Sequence, residues 1–108
     1  MSSSTVFLHL VYFYPRDNAG ADDAERLIAG IHKHLTAIPG VLRLQTGTPA
    51  GTPRDVVDNS YAAVLLVEFA DAAGHDVYAD HPDHVRFIAE CSPLWSSVKV
   101  YDSVANKV

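Results

Sequence analysis

The sequence predicts an α+β protein in which four strands and two helical segments follow the order βαββαβ. Two observations support this prediction. Runs of β-branched and aromatic residues, typical of strands, alternate with segments whose apolar residues recur at helical spacing. The 108 residues, 48% of them hydrophobic, suffice for a single domain over residues 1–108 and exclude a disordered chain. This order is that of a ferredoxin-like fold, a four-stranded antiparallel sheet with helices on one face.

The first half of the chain supplies a strand, a helix and a second strand. Thr5–Tyr14 is rich in β-branched and aromatic residues and predicts the first strand. Asp22 and Asp23 provide an N-cap and a first-turn carboxylate for a helix that Pro39–Gly40 ends. The apolar residues of this helix form one stripe: Ala24, Leu27, Ile28, Ile31, Leu35 and Ile38. A short strand is predicted at Val41–Thr46.

The third strand follows a long loop. Residues 47–60 hold Gly-Thr-Pro twice and a polar run, and loops of this length are either functional or mobile. Tyr61–Phe69 has the strongest strand pattern in the chain. Asp71 can then cap a short helix at Ala72–Ala79.

A proline divides the second helical segment. Pro82 can occupy the first turn of a helix over Pro82–Ser92, because an N–H at that position has no helical partner. His81 precedes this proline, which disfavours helical backbone and marks the break. Val98–Ser103 predicts the last strand, and we expect the tail Ala105–Val108 to fray.

The first and third predicted strands are apolar on both faces. In the first strand, Leu8 and Leu10 point to one face while Phe7 and Val11 point to the other. Strands of this kind are buried on both sides. The helices can cover only one face of the sheet, so we expect the second face to meet another copy of the chain. The sequence therefore predicts a homodimer that pairs through its sheet faces.

The charge composition excludes several classes of partner. Eight Lys and Arg stand against 13 Asp and Glu, a net charge of −5, and the basic residues form no run. Nucleic acid and anionic membrane are not expected as partners, since both require a positive surface. The single cysteine, Cys91, cannot form an internal disulfide. No targeting signal is visible at Met1–Ser4 and no apolar run is long enough to span a membrane, so we expect a cytoplasmic location.

The segment from Tyr78 to Phe87 concentrates residues suited to proton transfer. It contains a phenol and two histidines, and histidine titrates near neutrality. His84 shares a helix face with apolar residues, so we expect it to line a pocket or the core rather than to face solvent. His81 is a second candidate for contact with a ligand. The alternative for both rings is a structural role in capping or packing.

His9 and Asp102 are candidates outside this segment. His9 lies among apolar residues of the first strand, so it either finds a hydrogen-bond partner in the core or forms a pocket wall. Asp102, near the end of the last strand, can orient an imidazole as the carboxylate of a catalytic triad does. His32, His34 and His75 are expected to be solvated.

A metal site would require His81 and His84 together with a third ligand. His9 can supply that ligand only if the fold brings the first strand close to both. The His-x-x-His spacing differs from the ligand spacings that are typical of zinc sites, so neither a metal nor another cofactor is predicted. Cys91 and Trp95 are interpreted as packing residues.

Motifs along most of the chain are similar to those of one known family. They are His9 in the first strand, Ile38-Pro39-Gly40-Val41, Val67-Glu68-Phe69, the segment Tyr78…His81-Pro82-Asp83-His84…Phe87, and Val100-Tyr101-Asp102. Together they resemble the stress-responsive dimeric α/β-barrel (Dabb) family from about Val6 to Ser103. The Tyr-x-x-His-Pro-x-His segment is the most specific part. The family implies a ferredoxin-like protomer whose sheets pair face to face in a homodimeric barrel.

One plant branch of that family resembles polyketide cyclases, which close a linear polyketide by aldol condensation without a cofactor. The resemblance implies that His84 is the general base, that Tyr78 polarises a carbonyl and that Asp102 holds His84. His9 would line a pocket for a small, largely apolar molecule. A pocket histidine of that branch falls at Ala63 here, so a different substrate, or none, is expected.

Two other functions remain open at this point. The protein can be a non-catalytic, stress-associated dimer without a defined substrate, in which the dimer itself is the function. It can also be a heme-free monooxygenase of the related dimeric-barrel type. The Tyr-x-x-His-Pro-x-His segment argues against the monooxygenase.

Overall fold

The computed structural model describes residues 4–107, so the predictions for Met1–Ser3 and Val108 lie outside the described residues. The elements are β1 (Thr5–Pro15), α1 (Asp23–Leu35), β2 (Arg43–Gly47), β3 (Ala63–Phe69), α2 (Ala72–Asp80), α3 (Pro82–Cys91) and β4 (Trp95–Asn106). The four strands form one antiparallel sheet in the order β2-β3-β1-β4. The predicted βαββαβ order and ferredoxin-like fold are confirmed.

The core lies between the helices and one face of the sheet. Buried side chains of β1 alternate with half-buried ones, and β3 shows the same alternation because its residues also point in turn to the two faces. The helices close this face with side chains that are almost fully buried: Leu27, Ile31, Leu35, Phe87 and Cys91. Burying one such leucine, isoleucine or phenylalanine contributes about 1.5–3 kcal/mol. No helix among residues 4–107 combines the length and apolarity that crossing a membrane requires.

The register of β1 determines which side chains meet at the helical face. β1 is a central strand, paired with β3 on one side and with β4 on the other. In this register His9 lies opposite Val67 of β3 and opposite Asp102 of β4. Directly opposed residues point to the same face. The pairing therefore brings an imidazole and a carboxylate together.

Helix α1 ends earlier than its apolar stripe predicts. The last helical residue is Leu35, and the hydroxyl of Thr36 donates to the carbonyl of His32 over 3.0 Å. Ile38 precedes a proline, which disfavours helical backbone at that residue. Its side chain is nevertheless 2% exposed, because the following turn packs it into the core. Gly40, with φ at +92°, completes that turn in a conformation that suits glycine.

Strand β4 is longer than predicted. It pairs with β1 from Trp95 to Asn106, so the expectation that the tail frays is wrong for Ala105 and Asn106. The backbone N–H of Lys107 also donates to Ser4 over 2.9 Å. The 11 residues of β1 offer a continuous row of backbone groups, and β4 pairs along all of it. Most of β4 is exposed, so its ends carry little apolar pattern from which a strand could be predicted.

Candidate active site

A cavity of about 280 Å³ lies between the helices and the β1–β4 side of the sheet. Most of its wall is apolar and comes from the sheet, from α3 and from the start of β4. Four polar rings interrupt this wall, and they belong to His9, His75, Tyr78 and His84. A concave apolar site with a few polar groups is the usual form of a small-molecule site.

The break between α2 and α3 brings two of these rings into contact. His81 adopts extended backbone, with φ −64° and ψ 139°, so the chain turns between the two helices. Tyr78 from α2 and His84 from α3 consequently meet with their ring centroids 4.8 Å apart. The His81 ring caps α3, since its Nδ1 accepts a hydrogen bond from the Asp83 backbone over 3.0 Å. His81 is not among the residues that form the cavity wall.

His84 is held as a neutral imidazole by its surroundings. Burial lowers the pKa of His84, and the nearby rings of His9 and His75 lower it further. A hydrogen bond with the Ala79 backbone works in the opposite direction. Since a backbone carbonyl can only accept, one ring nitrogen of His84 donates to it, which leaves the other nitrogen with a free lone pair. This tautomer can accept a proton from a molecule in the cavity.

Asp102 holds a different histidine from the one expected. Its Oδ1 lies 2.6 Å from Nδ1 of His9, so the expected pair between Asp102 and His84 is not formed. The reason is the strand register, which places His9 and Asp102 opposite each other. Burial lowers the pKa of His9, and the contact with Asp102 partly offsets this effect. His84 forms a hydrogen bond with the Ala79 backbone instead of with the Asp102 carboxylate.

Tyr78 is the most deeply buried polar ring of the site. Its side chain is 1% exposed, and burial raises the pKa of the phenol well above its ordinary range. The phenol therefore stays protonated at neutral pH and can donate a hydrogen bond. The ring is fixed by edge contacts with Phe69 and His9, at centroid distances of 5.2 and 5.7 Å.

His75 belongs to the site, whereas the sequence predicts a solvated ring. Its ring stacks on Phe7 at a centroid distance of 5.1 Å and lies 4.7 Å from the ring of His9. The expectation that His75 is solvated is therefore wrong. Its spacing of three residues from Tyr78 puts both on one face of α2, and this signal could have identified it.

Two other predictions concern residues away from these rings. The side chain of His34 is only 10% exposed and contacts Glu90 of α3, so its predicted solvation is also wrong. Ala63 is fully buried in β3, opposite Phe13, and is not part of the cavity wall. Trp95 does pack, as predicted, against Phe13 at a centroid distance of 4.8 Å, and it also forms part of the cavity wall.

Solved structures with the same fold cover nearly the whole chain. A dimeric ferredoxin-like protein of unknown function from Thermobifida fusca is 21% identical, with a TM-score of 0.77 over 95% of this chain and 93% of that chain. A Dabb family protein with a ferredoxin-like fold from Mesorhizobium loti is 27% identical, with a TM-score of 0.75 over 95% of this chain and 99% of that chain. The hydroxynitrile lyase from Passiflora edulis is 15% identical, with a TM-score of 0.80 over 98% of each chain.

Comparison at the level of sequence identifies the family. Curated protein sequences give no match. The family described as Stress responsive A/B Barrel Domain matches residues 7–105, which include all four strands and all three α-helices almost completely. The chain belongs to the stress-responsive A/B barrel (Dabb) family.

Proposed function

We propose that the protein binds a small, largely apolar carbonyl compound in the cavity and moves a proton on it by acid–base chemistry without a cofactor. The observation that carries this proposal is the pairing of Tyr78 and His84, whose rings lie 4.8 Å apart in a mostly apolar wall. A buried phenol that stays protonated and a half-buried imidazole whose pKa is lowered are a matched donor and base. Perturbed groups in a cleft are typical of catalytic sites.

The chemistry follows from the protonation states of the two rings. The free nitrogen of His84 accepts a proton from the carbon next to the carbonyl. The electron pair of that C–H bond moves into the new C=C bond, and the carbonyl becomes an enolate. The Tyr78 hydroxyl donates a hydrogen bond to the enolate oxygen, which stabilises the developing charge. The enolate then takes a proton back or attacks a second carbonyl, as in an aldol cyclisation.

The cavity limits what can bind. Its volume of about 280 Å³ is close to the lower end of small-molecule pockets, which run from about 300 to 1,000 Å³. The walls from Val11, Leu65 and Phe87 offer no hydrogen bonds to an occupant. A compact molecule with one or two carbonyl groups fits these properties better than a charged or highly hydroxylated one. The Passiflora edulis enzyme shows that a lyase can have this fold.

A homodimer that pairs through the open face of the sheet is the second part of the proposal. The side chains of Leu10, Tyr12 and Tyr101 lie on the face that the helices leave uncovered, and Tyr101 is 56% exposed. Tyr12 contacts both Tyr61 and Tyr101, with ring centroids 4.9 and 6.1 Å apart. Aromatic residues of this kind are enriched in protein interfaces. The Thermobifida fusca protein of the same fold is described as dimeric.

Exchange of α-protons in D₂O tests the chemistry with 2-heptanone as the probe. We expect the wild-type protein to accelerate deuterium incorporation next to the carbonyl, measured by NMR. His84→Ala and Tyr78→Phe should each lower the rate by about 10²-fold or more, because general acid–base groups contribute about 10²–10⁴-fold. His32→Ala is the matched control, since that ring bonds to Thr46 away from the cavity.

Binding is measured separately through the fluorescence of Trp95, the single tryptophan of the chain, which forms part of the cavity wall. A saturable fluorescence change without deuterium exchange would show that the protein binds the ketone but does not transfer its proton. The absence of both signals would contradict the whole proposal. Equal exchange rates in the wild type, His84→Ala and Tyr78→Phe would remove the assigned mechanism.

A further inference from the structure

We propose that His9, His75 and Asp102 form a binding site for one divalent transition-metal ion, with Zn²⁺ as the representative. Each residue offers one ligand atom, and these atoms all lie within 4.8 Å of one another. The three residues come from β1, α2 and β4, and two of them, His9 and His75, form part of the cavity wall. Two imidazoles and a carboxylate are a common zinc ligand set when at least one coordination position stays open.

His75 is the residue that turns a histidine–aspartate pair into a ligand set. Its ring is oriented by stacking on Phe7 and by an edge contact with Phe69 at 5.7 Å. Among residues 4–107 it forms no ring hydrogen bond, and its closest charged neighbour is Oδ1 of Asp76, 3.9 Å from its Nδ1. The ring is thus positioned by apolar contacts while its nitrogens remain available. A ring placed in this way can coordinate a metal without breaking a hydrogen bond.

The present distances need small adjustments to accept an ion. Ligand atoms in a tetrahedral zinc site lie about 3.3 Å apart, given metal–ligand distances near 2.0–2.1 Å. The 2.6 Å contact between Nδ1 of His9 and Asp102 must therefore widen as Nδ1 releases its proton to solvent and coordinates the ion, and His75 must move closer to both. The side chains of Asp102 and His75 are 39% and 22% exposed, so both have room to rotate. His9, which is almost buried, can remain in place.

A bound ion would add a Lewis-acidic group to the cavity wall. His9 and His75 both form part of the cavity wall, so an open coordination position on the ion would lie next to the space in which a small molecule is proposed to bind. A bound Zn²⁺ would offer a Lewis-acidic position to water or to a polar group of the occupant. This inference goes beyond the proposed function, because proton transfer between His84, Tyr78 and a carbonyl compound does not use the ion.

Metal binding is tested with the full chain after treatment with EDTA and removal of the chelator. Isothermal titration with Zn²⁺ should show one site per chain with a Kd at or below the micromolar range. His75→Ala and Asp102→Asn should each weaken binding by at least tenfold. His32→Ala should bind as tightly as the wild type, because this exposed ring lies on α1. Co²⁺ in place of Zn²⁺ should give visible absorption bands that His75→Ala abolishes.

Three results would overturn this proposal. They are the absence of a one-to-one site, an unchanged affinity in both His75→Ala and Asp102→Asn, and equal weakening by His32→Ala, which would indicate adventitious surface binding. Circular dichroism of each variant separates loss of a ligand from loss of the fold. Exchange of 2-heptanone protons by the EDTA-treated protein is measured independently. Failure of the metal site and failure of the proposed function can therefore be distinguished.

Discussion

The carboxylate of Asp102 lies 2.6 Å from Nδ1 of His9, across the pairing of β4 with β1. A carboxylate only accepts hydrogen bonds, so Nδ1 of His9 carries the proton and Nε2 keeps its lone pair. The strand register forms this pair. His84 instead forms its hydrogen bond with the Ala79 backbone of α2. Two imidazoles of the site are thus oriented separately, His9 by a carboxylate and His84 by backbone.

Removal of this carboxylate should destabilise the fold. Asp102→Ala leaves the nearly buried Nδ1–H of His9 without its acceptor. We expect the free energy of unfolding to fall by about 1–2 kcal/mol, toward the lower end for a charged hydrogen bond because Asp102 is 39% exposed. Urea denaturation in the presence of EDTA measures the change. Ser103→Ala, at the next and exposed position of β4, is the control and should change stability little. Equal stability of Asp102→Ala and the wild type would contradict the importance of the contact.

Stability should depend on pH through His84. Burial lowers its pKa below the ordinary 6.5, so the unfolded chain takes up this proton at higher pH than the folded protein does. The contribution of His84 is complete above about pH 6.5 and is lost as the pH falls through the folded pKa. The groups that face this ring are His9 of β1 together with His75 and Tyr78 of α2.

His84→Gln isolates this contribution from those of the other histidines. We expect urea denaturation at a series of pH values to show a smaller loss of stability between pH 7 and pH 5 in this variant than in the wild type. EDTA in every sample excludes effects of metal. His32→Gln should keep the wild-type dependence. A steeper loss in His84→Gln would show that the ring is stabilised in its charged form.

The open face of the sheet should form the dimer interface. Tyr101→Asp places a charge among the tyrosines of this face, and we expect the mass by light scattering to fall from twice the 11.7 kDa of one chain to that of a monomer. Val77→Asp is the control, because Val77 is 53% exposed on α2, which packs on the opposite face of the sheet. A monomeric wild type at micromolar concentration, or dissociation caused only by Val77→Asp, would contradict pairing through the sheet.

Gly30 is required by the packing of α1 on α3. A Cβ added at Gly30 would lie 2.4 Å from Sγ of Cys91, which is closer than the two atoms can approach. Gly30→Ala should therefore destabilise the fold by about 1–3 kcal/mol despite the better helix propensity of alanine. Thermal unfolding of the double variant Gly30→Ala/Cys91→Ala should recover part of the loss, since the smaller side chain leaves room. If the double variant is no more stable than Gly30→Ala, the loss of stability does not come from contact with the Cys91 side chain.

Much of the fold could be predicted from the sequence because local pattern and tertiary environment agree. The β-branched and aromatic content of β1 and β3 matches their place in the middle of the sheet, and the apolar stripe of α1 matches its buried face. The break at His81 follows from the proline after it. The sequence predictions are wrong where tertiary contacts, rather than the local pattern, determine the structure. The length of β4 depends on backbone pairing with β1, and Ile38 is buried by a turn rather than by a helix.

The candidate site was only partly predictable for the same reason. Tyr78 and His84 lie close in sequence on either side of a predictable break, so their proximity is a local property. The partner of Asp102 depends on the register between strands separated by most of the chain. His75 was missed because its helix has a weak apolar pattern, and only its spacing from Tyr78 shows that it faces inward.

The 12-residue strand β4 has a consequence for how the chain must assemble. It is an edge strand, and Val98, Val100 and Val104 on it are 41%, 48% and 74% exposed. An edge of this length with apolar side chains can serve as a template for other strands. A newly folded chain carries it from the moment the sheet forms, whereas a partner arrives only at a rate set by concentration. Pairing through this edge also needs a second chain, so aggregation and assembly both become faster as concentration rises, and a dimer that joins sheet faces would leave the edge unpaired.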